Sequence, residues 1–320
     1  MNPIDKARFF YSQNYRKIAG WVLEPGKKII LGDQENQLCR FCGKRAPDTS
    51  FRLSAHALPE SLGNKSLFSA YECDECNALF GNGIENDFGN WSKPMRTFAR
   101  IRGKNGILPF RHGDSKAAPC QFEDDPLVAV DLHTREIMLQ LRRDAHAPLA
   151  VLKAFVKMGL SVLPDSEMPN FAQAVAWIRK RDHLDGFAFP VIHTFAPGLM
   201  PNDRISVLLI RRKDGSSAAA YMFFILAYGN EMFQVMLPSP GRDLAPNAIS
   251  SAESLAPYPF PPPSARFDAP RFQFLDLSGQ QLVHGETVSM PMDSDKKEKT
   301  FARPALFAGP AAQSAFASDN

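Results

Sequence analysis

Hydrophobic residues recur at helical spacing in the middle of the chain. Between Pro148 and Pro164, the larger apolar residues lie three or four positions apart: Leu149, Leu152, Val156, Leu160 and Leu163. This period predicts an α-helix with a buried face, and the two prolines suit its first position and its end. Further helices are predicted over 167–181 and, at the start of the chain, over 5–18.

Other stretches are rich in β-branched and aromatic residues, which favour strands. The longest are 187–195, 204–212, 219–229 and 232–237, separated in part by the turn pairs Asp214–Gly215 and Gly229–Asn230. We expect the second and third of these strands to be buried antiparallel neighbours. Shorter strands are expected at 28–31, 271–277 and 281–288, and a hairpin is expected over 127–139. The proline-dense segment 257–266 is typical of an extended linker.

The elements predict an α+β protein with two domains and a tail. The 320 residues fit two domains at about 150 residues each. The first is expected over 1–125, with a lead-in, a cysteine-containing centre and a basic segment. The second, over 126–291, is expected to be a separate α+β domain with an antiparallel sheet. Residues 292–320 are expected to be disordered.

The net charge and the targeting patterns of the chain exclude few classes of binding partner. The formal net charge of +3 is too small to identify a nucleic-acid partner by itself. One segment, 93–111, is locally basic: Lys93, Arg96, Arg100, Arg102, Lys104 and Arg111. It suits either contact with a phosphate backbone or a solvated surface. The chain shows neither a secretory pattern nor a long apolar run, so we expect a cytoplasmic protein without a membrane partner.

The cysteines predict a metal site. Four of the five form two Cys-x-x-Cys pairs, Cys39/Cys42 and Cys73/Cys76. Such pairs are typical of structural zinc, which takes four thiolates in tetrahedral geometry. Four unrelated buried thiols are the alternative. The remaining cysteine, Cys120, is expected to be a small semi-buried residue.

The residues around the two pairs form an ordered string. Its parts are Ala55–His56, Leu58–Pro59, Leu62–Gly63–Asn64, Cys76–Asn77, Phe80–Gly81 and Ile84–Glu85. From Cys39 to Phe88 the chain resembles the HNH endonucleases, in the branch with a cysteine-bound structural zinc. The resemblance implies a zinc-stapled ββα-metal core, one catalytic Mg²⁺ or Mn²⁺ ion, and DNA as the partner.

The resemblance also implies roles for four residues. His56 would be the general base that activates water, a role suited to its ordinary pKa of about 6.5. Asn77 would help to bind the catalytic metal, and Asn64 would orient the histidine. Glu85 is the nearest helix carboxylate for the metal.

Each of these roles has a structural alternative. His56 alone would more often be a core or surface histidine, Asn77 suits a helix N-cap, and Glu85 suits a solvent-facing position. The chain also departs from the family pattern. Ala55 stands where many members carry a metal ligand, and the usual last histidine of the helix is absent, which leaves Glu60 and Asp87 as further candidates.

The predicted function is therefore a metal-dependent endonuclease. The alternative is a non-catalytic zinc module that binds nucleic acid or protein, which Ala55 favours. In bacterial antiviral defence, similar cores are joined to sensor domains, some of which bind cyclic nucleotides. By that analogy, residues 126–291 are a candidate for binding a small-molecule or nucleotide regulator. Homo-oligomerisation is left open.

Overall fold

The computed structural model describes residues 2–104, 106–107, 111–112, 115–116, 128–131, 136–184, 186–196, 203–244, 255–262 and 270–292. The helices are α1 (Pro3–Asn14), α2 (Asp74–Gly81), α3 (Ile84–Phe98), α4 (Pro148–Ser161) and α5 (Ala172–Arg179). Short 3-10 segments lie at Glu60–Leu62 and Asp165–Phe171. Within these ranges, no helix is both long and apolar enough to cross a membrane.

The strands form three larger sheets and two small hairpins. They are β1 (Tyr15–Leu23), β2 (Ile29–Leu31), β3 (Ala55–His56), β4 (Leu67–Ser69), β5 (Arg102–Gly103), β6 (Gly106–Ile107), β7 (Arg111–His112), β8 (Ser115–Lys116), β9 (Val128–Asp131), β10 (Glu136–Arg142), β11 (Val191–Phe195), β12 (Ile205–Arg212), β13 (Met222–Tyr228), β14 (Glu231–Met236), β15 (Arg271–Leu275) and β16 (Thr287–Met292). The sheet orders are β1-β12-β13-β14-β11-β15, β16-β10-β9 and β2-β4-β3, and β5–β6 and β7–β8 are hairpins.

The α+β class and the antiparallel sheet are confirmed. β12 and β13 are antiparallel neighbours, β9 pairs with β10, and α4 begins at the expected proline. The predicted ββα order is present as β3, β4 and α2, because β3 pairs antiparallel with β4 and α2 follows directly. The core motif from the sequence therefore exists as a structural unit.

The start of the chain differs from its prediction. The helix expected over 5–18 ends at Asn14, and Tyr15 begins β1, which pairs with β12 of the large sheet. Tyr15 is fully buried, and its hydroxyl donates to the carbonyl of Ala220. Tertiary pairing with the sheet outweighs the local helical pattern here. The lead-in thus contributes to both predicted domains (the first and second halves of the chain), because β2 pairs with β4, which lies between the two cysteine pairs.

Two other elements are also corrected. The helix expected over 167–181 starts as a 3-10 segment that contains Pro169 and becomes α-helical at Ala172, because proline lacks the amide that an α-helix needs. The strand expected over 281–288 begins at Thr287. The described part of the proline-dense segment packs against the large sheet, since the Phe260 backbone amide donates to the Gln234 side chain of β14.

Helix α4 lies at the centre of the core. Every residue from Leu149 to Ser161 is buried, including two lysines. Phe155 contacts Phe88 of the first half at 5.2 Å and Phe233 of the second half at 5.0 Å between ring centroids. One hydrophobic cluster therefore spans both halves. The expected boundary near residue 125, Cys120 and the tail after Met292 lie outside the described residues.

Candidate active site and zinc centre

The four predicted zinc ligands come together in the fold. The Sγ atoms of Cys39, Cys42, Cys73 and Cys76 all lie within 4.8 Å of one another. Those of Cys42 and Cys73 are 3.7 Å apart, close to the separation of about 3.8 Å that four sulfurs at about 2.3 Å from a tetrahedral zinc would have. Their number, type and spacing fit structural zinc.

Local backbone geometry presents the thiols. Gly43 closes the first knuckle with a positive φ of 72°, and its amide donates to the Cys39 carbonyl. This left-handed conformation favours glycine. In the second knuckle, Cys73 is the N-cap of α2. The next residue, Asp74, accepts hydrogen bonds from the Ser50 hydroxyl and from two loop amides, which ties the loop before His56 to the knuckle.

His56 lies at the end of the short strand β3. It is paired with Phe68 of β4, and the two rings lie 4.6 Å apart. The imidazole is half-buried. Burial lowers its pKa below the ordinary value of 6.5, the carboxylates of Glu60 and Glu85 oppose that shift, and Lys157 and Lys104 add to it. Near neutral pH the ring is therefore unprotonated, as a general base requires.

Asn64 is buried and holds the loop that follows His56. Its amide group donates to the carbonyls of Leu58 and Leu67, both at 2.9 Å. Its oxygen accepts from the amides of Ser66 and Leu67. These bonds join the two sides of the loop between β3 and β4. Any effect of Asn64 on His56 would therefore act through the main chain.

Asn77 lies inside α2 and is half-buried, and its backbone amide donates to the carbonyl of Cys73. Because Cys73 is the N-cap, the helix-capping alternative for Asn77 is wrong. Helix α2 ends at Gly81 and α3 begins at Ile84, so Glu85 lies in the first turn of α3. The metal-binding role of Asn77 stays a prediction.

Glu85 takes part in a buried ion-pair cluster. The ammonium of Lys157, on α4, lies 2.8 Å from Glu85 Oε1 and 2.9 Å from Glu72 Oε2. The side chains of Lys157 and Glu72 are 1% and 0% exposed, and that of Glu85 is 16% exposed. Burial raises the pKa of Glu72 to about 7, although the charge of Lys157 opposes this shift. The solvent-facing alternative for Glu85 is therefore wrong.

A cleft of about 580 Å³ lies beside these groups. Glu60, Glu85 and Lys104 line it, and all three also act on the pKa of His56. The cleft is thus lined by two carboxylates and a lysine that act electrostatically on His56, whereas His56 and Asn77 are not among the residues that line it. Asp87 points elsewhere, because its carboxylate accepts the amide of Ala147 at the start of α4.

The basic segment separates into two groups. Arg96 is buried and donates to the carbonyls of Ser61 and Gly89, so it braces the wall of the cleft. Lys93 is paired with Asp144. Three other cations, Arg100, Arg102 and Lys104, are exposed, and the Arg111 side chain lies outside the described residues. The predicted phosphate contact is therefore limited to part of the segment.

The donor chemistry of the cleft fits a Mg²⁺ or Mn²⁺ ion. Mg²⁺ is commonly held by one or two carboxylates together with substrate oxygens and water, and Glu60 and Glu85 supply carboxylates here. Throughout the described part of the chain, only the four cysteines form a cluster of three or more Cys, His, Asp or Glu ligands. The protein's own ligand set in the cleft is thus small, in line with Ala55 before the histidine.

Sequence reasoning missed Glu72, Lys157 and Arg40. The Arg40 side chain, between the first two cysteines, donates to three carbonyls at the end of α4 and pairs with Asp165. A signal was present for Lys157. It follows Lys153 by one helical turn in an otherwise apolar helix, and lysines are rarely buried unless they are paired.

Comparison with known proteins agrees with this geometry. Residues 39–92 match the family model described as HNH endonuclease. The match begins at the first zinc ligand and covers the ββα unit and most of α3. Neither the curated proteins nor the solved structures gave a match to the chain.

Proposed function

Since residues 39–92 belong to the HNH endonuclease family, we propose that the protein is a metal-dependent endonuclease that hydrolyses phosphodiester bonds in DNA. The supporting observation is the position of His56. Its half-buried imidazole ends β3 of the ββα unit, with Glu60, Glu85 and Lys104 close enough to shift its pKa. A neutral base beside carboxylates and a cation suits attack on a phosphate ester.

The protein groups divide the work as follows. The neutral imidazole of His56 accepts a proton from water as the water attacks phosphorus. Lys104, which is exposed and lines the cleft, and Arg102, which is exposed two residues before it, attract the phosphate backbone. Asn64 keeps the loop after His56 in place and so keeps the base oriented. The Asn64 side chain does this without touching the substrate.

Glu85, with Asn77 as a further oxygen donor and Glu60 nearby, would hold the Mg²⁺ or Mn²⁺ ion. When bound, the ion supplies electrostatic stabilisation of charge on the phosphate and on the leaving oxygen. The four cysteines would hold a separate zinc ion with a structural role.

Replacement of His56 by alanine tests the proposal. The His56→Ala variant is expected to lose about 10²–10⁴-fold in the rate of supercoiled plasmid nicking with Mg²⁺ or Mn²⁺. His284→Ala is a matched control, because His284 is exposed and lies outside residues 39–92, which we call the HNH segment. Equal nicking by His56→Ala and the wild-type chain would contradict the role of the base.

The non-catalytic alternative has its own supporting observation, the small ligand set of the cleft. It predicts nucleic-acid binding without cleavage, in the presence of any divalent ion. A gel-shift assay run alongside the nicking assay separates the two functions. A role in antiviral defence, with a nucleotide that regulates through the C-terminal half, stays a prediction from analogy.

A further inference from the structure

The ion-pair cluster of Glu72, Lys157 and Glu85 joins the HNH segment to the second half of the chain. Glu72 precedes the second cysteine pair and Glu85 lies in the first turn of α3, whereas Lys157 belongs to α4. Its ammonium is also 5.5 Å from the centroid of Phe80 and 5.9 Å from that of Phe41. Lys157 therefore places a positive charge in the core of the HNH segment.

Burial makes this arrangement rigid. A lysine, like a glutamate, loses much rotational freedom when it is fixed, and an ammonium in an apolar core is unfavourable unless it is paired. With Glu72 fully enclosed and Lys157 almost so, neither side chain has an alternative partner in water. The ammonium is thus held in one position.

Glu85 differs from Glu72 in its exposure. Its Oε1 is buried against Lys157, yet the residue lines the cleft and acts electrostatically on His56. A free glutamate at the rim of a cleft would sample several rotamers. The contact with Lys157 removes most of that freedom and engages Oε1, so Oε2 is the carboxylate oxygen outside this ion pair.

We propose that Lys157 is a positioning residue of the candidate active site, which fixes the Glu85 carboxylate for the divalent ion from the far side of the core. The proposal rests on the proposed function, because Glu85 is the intended ligand. It makes α4 part of the nuclease site, so the site is assembled from both halves of the chain. Groups that orient metal ligands typically affect metal affinity or activity by about 10–100-fold.

A charge-matched double variant tests this role. Lys157→Met alone would leave two buried carboxylates without a counter-ion. Lys157→Met combined with Glu72→Gln removes the buried ammonium together with the buried carboxyl group that it pairs with, so Glu72 is not left without a partner. The matched partner, Lys157→Gln with Glu72→Gln, has the same charges but keeps a hydrogen-bond donor at position 157.

Two measurements are made on the zinc-loaded full-length chain. Mn²⁺ binding is followed by the electron paramagnetic resonance signal of free Mn²⁺, and plasmid nicking is titrated with Mn²⁺. The methionine double variant is expected to bind Mn²⁺ about 10–100-fold more weakly than the wild-type chain. The glutamine double variant is expected to lie between the two. Near-ultraviolet circular dichroism verifies that each variant is folded.

Lys153→Met is the control for a general effect on α4. Lys153 is buried on the same helix, but its ammonium binds the carbonyls of Lys180 and Asp182. This variant is expected to lower stability and to leave Mn²⁺ affinity unchanged.

The outcomes are distinguishable. Wild-type affinity and nicking in both double variants would overturn the role of Lys157. Equal losses in the glutamine and methionine variants would also overturn it, because the effect would not depend on the donor. If the methionine variant is unfolded, wild-type Mn²⁺ affinity in the glutamine variant decides against the proposal. A wild-type chain that neither nicks DNA nor binds Mn²⁺ would instead contradict the proposed function itself.

Discussion

At the scale of single residues, His56 shows how burial favours the neutral form of an imidazole. Partial burial lowers its pKa, and this effect exceeds the opposing influence of Glu60 and Glu85. The same residue in water would be partly protonated near its ordinary pKa of 6.5. The fold thus keeps the imidazole neutral over a wider acidic range.

The pH dependence of nicking follows from this shift. The proposed base, His56, accepts a proton only when it is neutral, so kcat/KM is expected to rise with pH through an inflection below 6.5 and then to level off. A pH series at saturating Mg²⁺ and constant ionic strength measures the inflection. The inflection is expected below 6.5 because burial lowers the pKa of His56. An inflection clearly above the ordinary histidine value would show that another group limits the rate.

At the scale of elements, the HNH segment holds both ends of α4. Asp87 accepts the amide of Ala147 at the N-terminus of the helix at 2.6 Å. Arg40 donates to the carbonyls of Leu160, Ser161 and Leu163 at the C-terminus. An anion at the start and a cation at the end match the helix dipole, so the segment and the helix stabilise each other.

Replacement of Arg40 tests this docking. Arg40→Ala leaves three carbonyls without their donor, and we expect the free energy of unfolding to fall by about 2–3 kcal/mol. Urea unfolding followed by far-ultraviolet circular dichroism measures the change. Lys44→Ala is the control from the same knuckle, because its exposed pair with Glu75 is expected to leave the midpoint unchanged. Similar midpoints in both variants would show that the Arg40 contacts contribute little.

At the scale of the whole molecule, the core does not stop between the predicted domains. Phe88, Phe155 and Phe233 form a continuous chain of ring contacts across both halves. Strand β1 adds the start of the chain to the sheet of the second half. We therefore propose that the two halves unfold as one cooperative unit.

Zinc removal tests this cooperativity. Structural zinc contributes about 10–16 kcal/mol of apparent binding free energy in small zinc domains, as much as a typical domain's whole stability of about 5–15 kcal/mol. A Trp21→Phe, Trp91→Phe variant retains Trp177, which is buried in α5, as the remaining tryptophan of the three.

Chelation is expected to shift the Trp177 emission to the red in parallel with zinc release, measured with a colorimetric zinc indicator. The reason is that loss of the knuckles removes the support of α4, on which α5 packs. Zinc release with unchanged Trp177 emission would indicate two independent domains.

Much of the fold was readable from local pattern. The Cys-x-x-Cys pairs and the apolar period of α4 are properties of short segments, the ββα order was implied by the family resemblance, and the structure contains each of them. Strand runs such as 204–212 and 219–229 were also recognisable, because alternation and turn residues act over a few positions.

The sequence by itself identified four cysteines as candidate zinc ligands, and its resemblance to the HNH endonucleases implied the class of the core and the candidate base. Only the tertiary structure decided that β1 joins the distant sheet, that Arg40 caps α4, and that Lys157 reaches Glu85. These contacts join residues far apart in the chain, and their free energy comes from burial and pairing that no local spacing encodes. A lysine in an apolar helix indicates a buried partner, but the fold alone specifies which carboxylate it meets.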